Sequence, residues 1–456
     1  MSQDMSEALK SNPTIRKETF DIAWPSVVES VLVALAGMVD TYMVAGLGKA
    51  SVAAIGVTNQ PKYFVFTVFF ATNVAISSLI ARRVGEKKQN DANGLFLTGL
   101  YFVTGLSILL SILCVASAEP FMRLCGANAE TIELSVLYFR IIMGFSIFQQ
   151  LSLYINAAQR GSGNTKIAMT TNIVSNLVNV VLNYLLIQGH FGFPALGVTG
   201  AAIATVLGTV VACIMSVRSI FLKRSFIQIP LIQKEKIRAD RKYIKELAPV
   251  TGTFLGENLL TRAGMMLTGA MTARIGTAPY AAHLVGMNFM NIGFAFGDGL
   301  QAAAIALVGR SIGENDYEKA KKYAWTEQKF GFIISIIISV LMLLLHKQIF
   351  NAYYPNDPEM LGYGVIISYF FAVIMPIQVS KIIFNGTLRA AGDIRYTLVG
   401  STIGVTIVQP ILLWFFLFVL KIGLSGVWLS ILISQAVQWL LFGGRFISGK
   451  WQNRKL

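Results

Sequence analysis

Long apolar stretches, separated by short polar breaks, follow one another along almost the whole chain. Each stretch has about 20 or more residues, which is the length that an α-helix needs to cross a bilayer. Because the backbone finds no water partner in the hydrocarbon core, each stretch is predicted to be a membrane-spanning helix. The stretches are continuous rather than alternating, which argues against a β-barrel. The twelve predicted helices cover residues 20–44, 52–80, 94–118, 134–157, 167–188, 196–222, 247–272, 280–308, 325–346, 362–388, 396–420 and 424–447.

The composition supports an integral membrane protein and excludes several other classes. Of the 456 residues, 54% are hydrophobic and only 13% are charged, against about 25% charged residues in soluble chains. Too little polar sequence is present to cover a soluble enzyme or a nucleic-acid-binding fold. The chain has no Walker A sequence and no catalytic or metal-ligating cluster, so we expect neither enzymatic activity nor a cofactor. The three cysteines are an odd number and are expected to be free thiols.

The net charge of +15 comes from 38 Lys and Arg residues against 23 Asp and Glu residues, and the basic residues are unevenly distributed. The two termini and the even-numbered loops together hold 29 of the 38 basic residues, whereas the odd-numbered loops hold five. Because basic loops stay on the cytoplasmic side, both termini are predicted to be cytoplasmic. Residues 1–18 are polar, and the first apolar stretch is too long for a signal peptide. We therefore expect a multi-pass protein of the cell membrane.

A polar and strongly basic stretch at residues 216–247 divides the chain into two halves of six predicted helices each. Its basic residues suit contact with an anionic membrane surface, and its length suits a flexible connection between moving lobes. We predict an N-terminal cytoplasmic segment, a first lobe, a linker, a second lobe and a cytoplasmic tail, which cover residues 1–18, 19–222, 223–246, 247–447 and 448–456.

The two halves resemble each other in sequence. The segment PSVVES aligns with TFLGEN at an offset of 228 residues, which places Glu29 on Glu257. At nearly the same offset, ARRVGEKK aligns with GRSIGEND, QRGSGNT with LRAAGDI, and LGVTGAA with IGLSGVW. Because each half has an even number of helices, both repeats have the same orientation in the membrane. Parallel repeats of this kind build transporters whose substrate site lies between the repeats.

Ionisable side chains within the apolar stretches are functional candidates, because burying each one costs about 2.5–3.5 kcal/mol. Six of them are selected as candidates, four acids and two bases, namely Glu29, Asp40, Glu257, Asp298, Arg262 and Lys381. We expect this acidic surplus to mark the functional region.

Each of these charges has a functional and a structural interpretation. A carboxyl group in a low-dielectric environment can hold a proton near neutral pH, so Asp40 is predicted to couple proton movement to transport, unless it is a capped or paired structural acid. Glu257 suits a proton or Na⁺, since hard cations prefer oxygen ligands, or an interhelical ion pair. Arg262 and Lys381 are expected to neutralise an acid across the lobe interface. Asp298 lies between two glycines, where we expect a broken helix, and it either lines the substrate pathway or caps a helix end.

Methionine and aromatic side chains suit the promiscuous binding of apolar and cationic organic compounds. Met38, Met265 and Met287 are predicted to contact substrate at the lobe interface, although such residues more often pack in a core.

Several motifs in combination resemble the MATE (multidrug and toxic compound extrusion) family, of both DinF-like and NorM-like character. They are VDTYMVAGLGKASVAAIG, AAHLVGMNFMNIGFAFGDGLQAAAIALVG, VGRSIGENDYEKAKK, QRGSGNTKIAM, LRAAGDIRYTL and NVVLNYLLIQGHFGFPALGVTGAAIAT. The resemblance extends over residues 15–445. It implies a cation-coupled antiporter of the MOP superfamily that is built from two six-helix lobes.

The resemblance also implies roles for particular residues. A first-helix aspartate, here Asp40, takes part in cation coupling, together with an Asn and an Asp four residues apart on the fifth helix. The matching positions are Asn179 and Asn183, so the second carboxylate is missing. Thr205 matches the threonine that completes this network. Glu257 matches a NorM-type glutamate, whose aspartate partner is replaced here by Gln378.

The combined prediction is a twelve-helix all-α membrane protein that exports amphipathic, cationic organic compounds in exchange for H⁺ or Na⁺, with any Na⁺ bound at Glu257 or Asp40. The alternative is a lipid-linked oligosaccharide flippase of the same superfamily, which would need a basic cluster for pyrophosphate. We expect a monomer whose partners are small organic molecules and membrane lipid, without nucleic acid. The predicted coupling residues are Asp40, Asn179, Asn183, Thr205 and Glu257. The predicted cavity residues are Met38, Glu29, Met265, Met287, Gln378, Lys381 and Asp298.

Overall fold

The computed structural model describes residues 13–47, 49–222 and 225–452, which are almost entirely helical and contain no strand. The apolar stretches form helices because a helix satisfies its backbone hydrogen bonds within the segment. In the first half the helices are α1 (Pro13–Ala45), α2 (Lys49–Gly85), α3 (Gln89–Ala116), α4 (Ala118–Leu124), α5 (Ile132–Gly144), α6 (Ser146–Gly161), α7 (Thr165–Gln188) and α8 (Gly197–Ser219), with a 3₁₀ turn at His190–Gly192.

The second half repeats this plan after a short helix in the linker. The elements are α9 (Ile229–Lys234), α10 (Arg241–Thr272), a 3₁₀ turn (Ala273–Ile275), α11 (Thr277–Gly313), α12 (Tyr317–Tyr353), α13 (Pro358–Ala390), α14 (Ile394–Ser401), α15 (Gln409–Trp414) and α16 (Gly423–Ile447). Two π-helical segments, Thr402–Val408 and Phe415–Val419, join α14 and α15 into one long element.

Ten helices in the described ranges are long and apolar enough to cross a membrane. The pair α5 and α6, which is bent by 47° at Phe145, supplies an eleventh candidate span. The seventh predicted span, 247–272, lies in α10, which has 32 residues and so is long enough, but is not apolar enough to be counted with them. Glu257 and Arg262 lie in its apolar part and make it more polar than the others. The all-α multi-pass fold predicted from the sequence is therefore confirmed.

The chain divides into two compact units with boundaries that differ from the predicted lobes. Residues 28–251 form one unit, called the N-unit below, and the described residues before 28 and after 251 form the other, the C-unit. Both boundaries fall inside helices, α1 and α10. The start of α1 packs in the C-unit, where Ala23 belongs to a core with Phe371, Met375 and Trp428.

Close helix packing in the N-unit depends on small residues. Gly161, the last residue of α6, lies so near α2 that an added Cβ would clash with the backbone oxygen of Ser77. Glycine allows two helix backbones to approach closely in a membrane protein, where packing rather than the hydrophobic effect drives helix association.

Polar contacts fasten the linker to the N-unit. The Asn93 side chain donates to the Phe226 carbonyl at 3.1 Å and accepts from the Gln228 backbone N–H at 2.8 Å. Arg83 on α2 pairs with Glu246 at 2.7 Å. Polar linker residues thus find fixed partners at one end of the α2–α3 hairpin.

Candidate functional sites

A cavity of about 360 Å³ opens inside the N-unit. Its walls come from α1, α2, α5, α7 and α8, and its polar lining consists of Asp40, Asn59, Lys62, Tyr63, Tyr138, Asn183 and Thr205. This combination of charged, amide and hydroxyl groups is unusual in a membrane-spanning region, where an unpartnered polar group is costly.

Asp40 is held in this cavity by neutral hydrogen-bond donors. The Asn183 amide donates to Asp40 Oδ1 at 2.8 Å. The Asn179 amide is assigned with its nitrogen toward Asp40, 2.7 Å from Oδ1, because its oxygen then accepts from the Thr205 backbone N–H at 3.1 Å. The structure therefore brings together Asp40, Asn179, Asn183 and Thr205, the four N-terminal coupling residues predicted from the sequence.

Lys62 lines the same cavity and was not recognised from the sequence as a candidate. Its Nζ donates to Asn59 Oδ1 at 3.0 Å and lies 5.3 Å from the centre of the Tyr63 ring. Both side chains belong to the part of the chain that the structure describes, and no ion pair within 4.0 Å joins Lys62 to Asp40. The cavity thus contains one basic and one acidic group that are not neutralised by direct contact.

Glu29 makes a separate ion pair within the N-unit and does not line the cavity around Asp40. Arg160 donates to Glu29 Oε1 at 2.8 Å, and the Asn172 amide donates to the same oxygen at 2.6 Å. The glutamate is buried. A buried carboxylate needs such partners, because an uncompensated charge is very costly.

Glu257 has the equivalent arrangement in the C-unit. Its Oε1 accepts from Arg389 at 2.8 Å and from the Ser401 hydroxyl at 2.7 Å. The repeat offset of 229 that relates QRGSGNT to LRAAGDI also relates Arg160 to Arg389 and Asn172 to Ser401. The internal repeat therefore includes a buried glutamate with an arginine and a polar donor in each half.

The base that pairs with Glu257 is Arg389 at the end of α13, a residue that the sequence analysis did not single out. Because the arginine already balances the carboxylate, this arrangement does not suit Na⁺ at Glu257. Among the described residues, no three His, Cys, Asp or Glu side chains converge as metal ligands.

A second cavity, of about 450 Å³, lies within the C-unit. Glu257, Met265, Met287, Asp298 and Lys381 all line it, although Met265 and Met287 were expected at the interface between the lobes. Lys381 donates to the Gln438 side chain at 3.4 Å.

The structure also differs from the sequence predictions in this region. Gln378 is buried outside the lining of the cavity, with both polar atoms of its side chain unpartnered. The helix that carries Asp298 is unbroken, because α11 is continuous from Thr277 to Gly313. The glycines beside Asp298 allow close packing: a Cβ on Gly297 would clash with Ile382, and one on Gly299 would clash with the Val27 backbone. The side chain of Met38 lies outside the described part of the chain.

The expected acidic surplus disappears once the observed partners are included. In the N-unit, Glu29 and Asp40 accompany Arg160 and Lys62. In the C-unit, Glu257 and Asp298 accompany Arg389 and Lys381, in and around the cavity. At these eight positions each half has two acids and two bases, and Arg262 adds one further base in the C-unit, so no acidic surplus remains.

Comparison with known proteins identifies the family. A sequence profile described as MatE matches residues 25–185 and 254–437, one match in each half of the chain. This chain belongs to the MATE family. Its members are membrane transporters, so the chain is a transporter of small molecules and not an enzyme.

Relatives cover nearly the whole chain at low identity. The uncharacterized transporter YisQ of Bacillus subtilis is 24% identical over 446 residues, which are 98% of this chain and 97% of the relative. A probable multidrug resistance protein NorM of Thermotoga maritima is 24% identical and covers 97% of this chain and 94% of the relative.

Solved structures support the MATE fold. The outward-facing conformation of a multidrug resistance MATE transporter of the MOP superfamily has a TM-score of 0.88 at 21% identity, over 100% of both chains. A MOP superfamily transporter from Pyrococcus furiosus, titled as having a binding pocket of reversed polarity, has a TM-score of 0.88 at 20% identity, also over 100% of both chains.

Proposed function

We propose that this MATE protein is a secondary active antiporter of the cell membrane with both termini in the cytoplasm. It exports amphipathic organic compounds, cationic ones among them, in exchange for H⁺ or Na⁺ by alternating access. It needs no cofactor beyond the coupling ion and works as a monomer. The observation that carries this proposal is Asp40, a single carboxylate inside the N-unit cavity whose partners are neutral amides rather than a basic residue.

Protonation of Asp40 would change its hydrogen bonding. An ionised carboxylate only accepts, whereas a protonated one also donates. Asn179 can accommodate both forms, because rotating its amide presents either nitrogen or oxygen to Asp40 at the same position. Rotation of the Asn179 amide can therefore follow the gain or loss of a proton on Asp40.

Exchange of substrate for a proton follows because both compete for the negative charge of Asp40. A proton on Asp40 removes the negative charge that attracts a cationic group of the substrate, so a proton and a cationic compound bind less well together than separately. By linkage each ligand weakens the other's binding by the same factor. Entry of the coupling ion on the outside would then promote substrate release there.

Two observations favour H⁺ over Na⁺ as the coupling ion. Asp40 is the one carboxylate in the described lining of its cavity, and the Asn183 and Asn179 amides donate to it rather than offering oxygens to a metal ion. Glu257 is already paired with Arg389. The flippase alternative has no support, because the bases at these positions are matched by acids and leave no basic cluster for a pyrophosphate.

Transport in proteoliposomes tests this function. Purified protein is reconstituted with a cationic fluorescent dye, and a pH gradient and a Na⁺ gradient are imposed separately. We expect dye movement against its gradient when the pH gradient is present and loss of that movement when a protonophore is added. Movement driven by the Na⁺ gradient alone would make sodium the coupling ion. Dye transport that neither gradient drives uphill would contradict antiport.

A further inference from the structure

Glu327, a glutamate on α12 of the C-unit, is buried outside both polar cavities. It lies within the apolar stretch 325–346, and its exposed fraction is 0%. Both of its carboxyl oxygens are shielded from solvent, and neither has a hydrogen-bond partner among the described residues. Because Glu327 lines neither the cavity around Asp40 nor the cavity of the C-unit, the proposed exchange at Asp40 does not use it.

The polar residues next to Glu327 in the chain are buried as well, but they are hydrogen-bonded. The Thr326 hydroxyl donates to the Lys322 carbonyl at 2.8 Å, and the Gln328 amide donates to the Ser380 carbonyl on α13 at 3.0 Å. Buried polar groups normally have such partners. The unpartnered carboxyl group is therefore particular to Glu327 on this turn of α12.

The helix face on which Glu327 lies is packed against apolar residues. One turn before it, Tyr323 and Ala324 belong to an apolar cluster with residues of α11 and α13. One turn after it, Gly331 lies so close to α13 that an added Cβ would clash with Ile383. Glu327 thus lies between two closely packed turns.

The titratable groups on the packed elements have other partners or face elsewhere. They are Glu18 on α1, Asp298 on α11, Tyr323 and Lys329 on α12, and Lys381 and Arg389 on α13. The Tyr323 hydroxyl donates to Glu18. Asp298, Lys381 and Arg389 line the C-unit cavity, and Lys329, two residues along the helix, does not share a face with Glu327. Within the described ranges, no ion pair within 4.0 Å includes Glu327.

This environment decides the charge of Glu327. A carboxylate that loses its water and gains neither a base nor a hydrogen-bond donor is very costly, and such a group takes up a proton instead. A protonated carboxyl group is neutral and fits among apolar side chains at a much smaller cost.

We propose that Glu327 is a second proton-binding site of this protein, separate from Asp40 and filled in the conformation described here. The carboxyl group stays neutral while α11, α12 and α13 pack around it. Its proton leaves to water only when these helices separate enough to solvate the carboxylate. Protonation of Glu327 therefore stabilises this packing, and rising pH weakens it.

Unfolding measured as a function of pH tests this site. The purified full-length protein is unfolded by a denaturing detergent in mixed micelles between about pH 6 and pH 9, where an ordinary glutamate is ionised. The variants are Glu327→Gln and Glu327→Leu, which are neutral at every pH. Glu318→Gln is the matched control, because it removes a glutamate from the same helix whose side chain is 73% exposed.

The sign of the pH dependence follows from the number of protons bound. In this pH range the folded wild type holds one proton more at Glu327 than the unfolded chain does, so its stability falls as pH rises. Relative to Glu327→Gln and Glu327→Leu, the unfolding equilibrium constant of the wild type should increase about tenfold per pH unit. Glu318→Gln should follow the wild type.

Infrared spectra of the folded proteins at neutral pH give a second readout. The carbonyl band of protonated carboxyl groups should be weaker in Glu327→Gln than in the wild type, whereas Glu318→Gln should retain the full intensity, because an exposed glutamate is ionised at neutral pH.

Three results would overturn the inference. They are a wild type whose stability relative to both neutral variants does not change with pH, an unchanged infrared band in Glu327→Gln, and failure of both neutral variants to fold. Neither measurement uses an ion gradient or Asp40. A filled proton site at Glu327, together with a failure of gradient-driven transport, would support this inference while contradicting the proposed antiport.

Discussion

The buried glutamate–arginine pair occurs once in each half of the molecule. Glu257 and Arg389 are both largely buried, with side-chain exposures of 5% and 14%. Ion pairs at such positions contribute little net stability compared with apolar residues, but breaking one is costly because the remaining charge is left unpaired. The pair is therefore best tested by removing one partner and then both.

We expect Glu257→Gln to destabilise the protein by about 3–5 kcal/mol, because Arg389 then keeps a buried charge without its carboxylate. The double variant Glu257→Gln with Arg389→Gln should recover most of this loss. The measurement is the thermal unfolding temperature of each variant in detergent. A double variant no more stable than the single one would show that the two residues act independently.

The sequence could predict the acids of the site better than their partners. Asp40 and Glu257 are detectable because a charge inside an apolar stretch is rare. Arg160 and Arg389 are detectable only through the repeat, in which equivalent arginines accompany equivalent glutamates. They lie 131 and 132 residues from their partners in the chain, and sequence spacing indicates only pairs three or four residues apart on one helix. Lys62 also lies within an apolar stretch, but the sequence does not tell which face of its helix it occupies.

At the scale of helices, glycine determines how closely α2 and α6 can pack. Gly161→Ala should destabilise the N-unit by about 1–3 kcal/mol, because its Cβ would meet the Ser77 backbone, which cannot move aside as a side chain can. Gly105→Ala on α3 is the matched control, since nothing lies within 4 Å of its added Cβ. Thermal unfolding in detergent compares the two variants. Equal unfolding temperatures for them would contradict the proposed close approach.

The fastened linker gives a second prediction at this scale. Asn93→Ala removes one donor and one acceptor that hold the linker at Phe226 and Gln228. We expect faster cleavage by trypsin at Lys234, Lys236 and Arg238, because the Gln228 N–H loses its acceptor at a cost of about 1–3 kcal/mol, although Gln89 still donates to the Phe226 carbonyl. Cleavage at Lys319, Lys321 and Lys322 provides an internal control in the same digest. An unchanged ratio of the two cleavage rates would show that Asn93 does not hold the linker.

Helix type and approximate position were predictable from the apolar stretches, but their interruptions were not. The pattern predicts one helix over 134–157, where the structure bends by 47° at Phe145. It also predicts a break around Asp298, where α11 continues without interruption. A glycine in an apolar stretch is compatible with a bend and also with a close contact between two helices. Packing against neighbouring helices decides which of the two occurs, so the sequence alone does not predict it.

For the whole molecule, the distribution of basic residues predicts topology. The 29 basic residues on the predicted cytoplasmic side lead us to expect both termini inside the cell. Cysteine labelling offers a test in a cysteine-free background, with single cysteines introduced at Lys10, Lys347 and Lys455. Only the cysteine at position 347 should react with a membrane-impermeant maleimide in intact cells. Reaction at either terminal position would reverse this topology.

For the whole molecule, the proposed function requires Asp40 to couple an ion gradient to export. The most direct measurement is pH-gradient-driven dye transport in proteoliposomes by Asp40→Asn, compared with the wild type and with Asp357→Asn. The control replaces an aspartate that caps α13 in the chain connecting α12 and α13, and asparagine caps equally well. We predict that Asp40→Asn is reconstituted in normal amounts but loses uphill transport, whereas Asp357→Asn retains it. Uphill transport by Asp40→Asn at the wild-type rate would contradict the coupling role of Asp40.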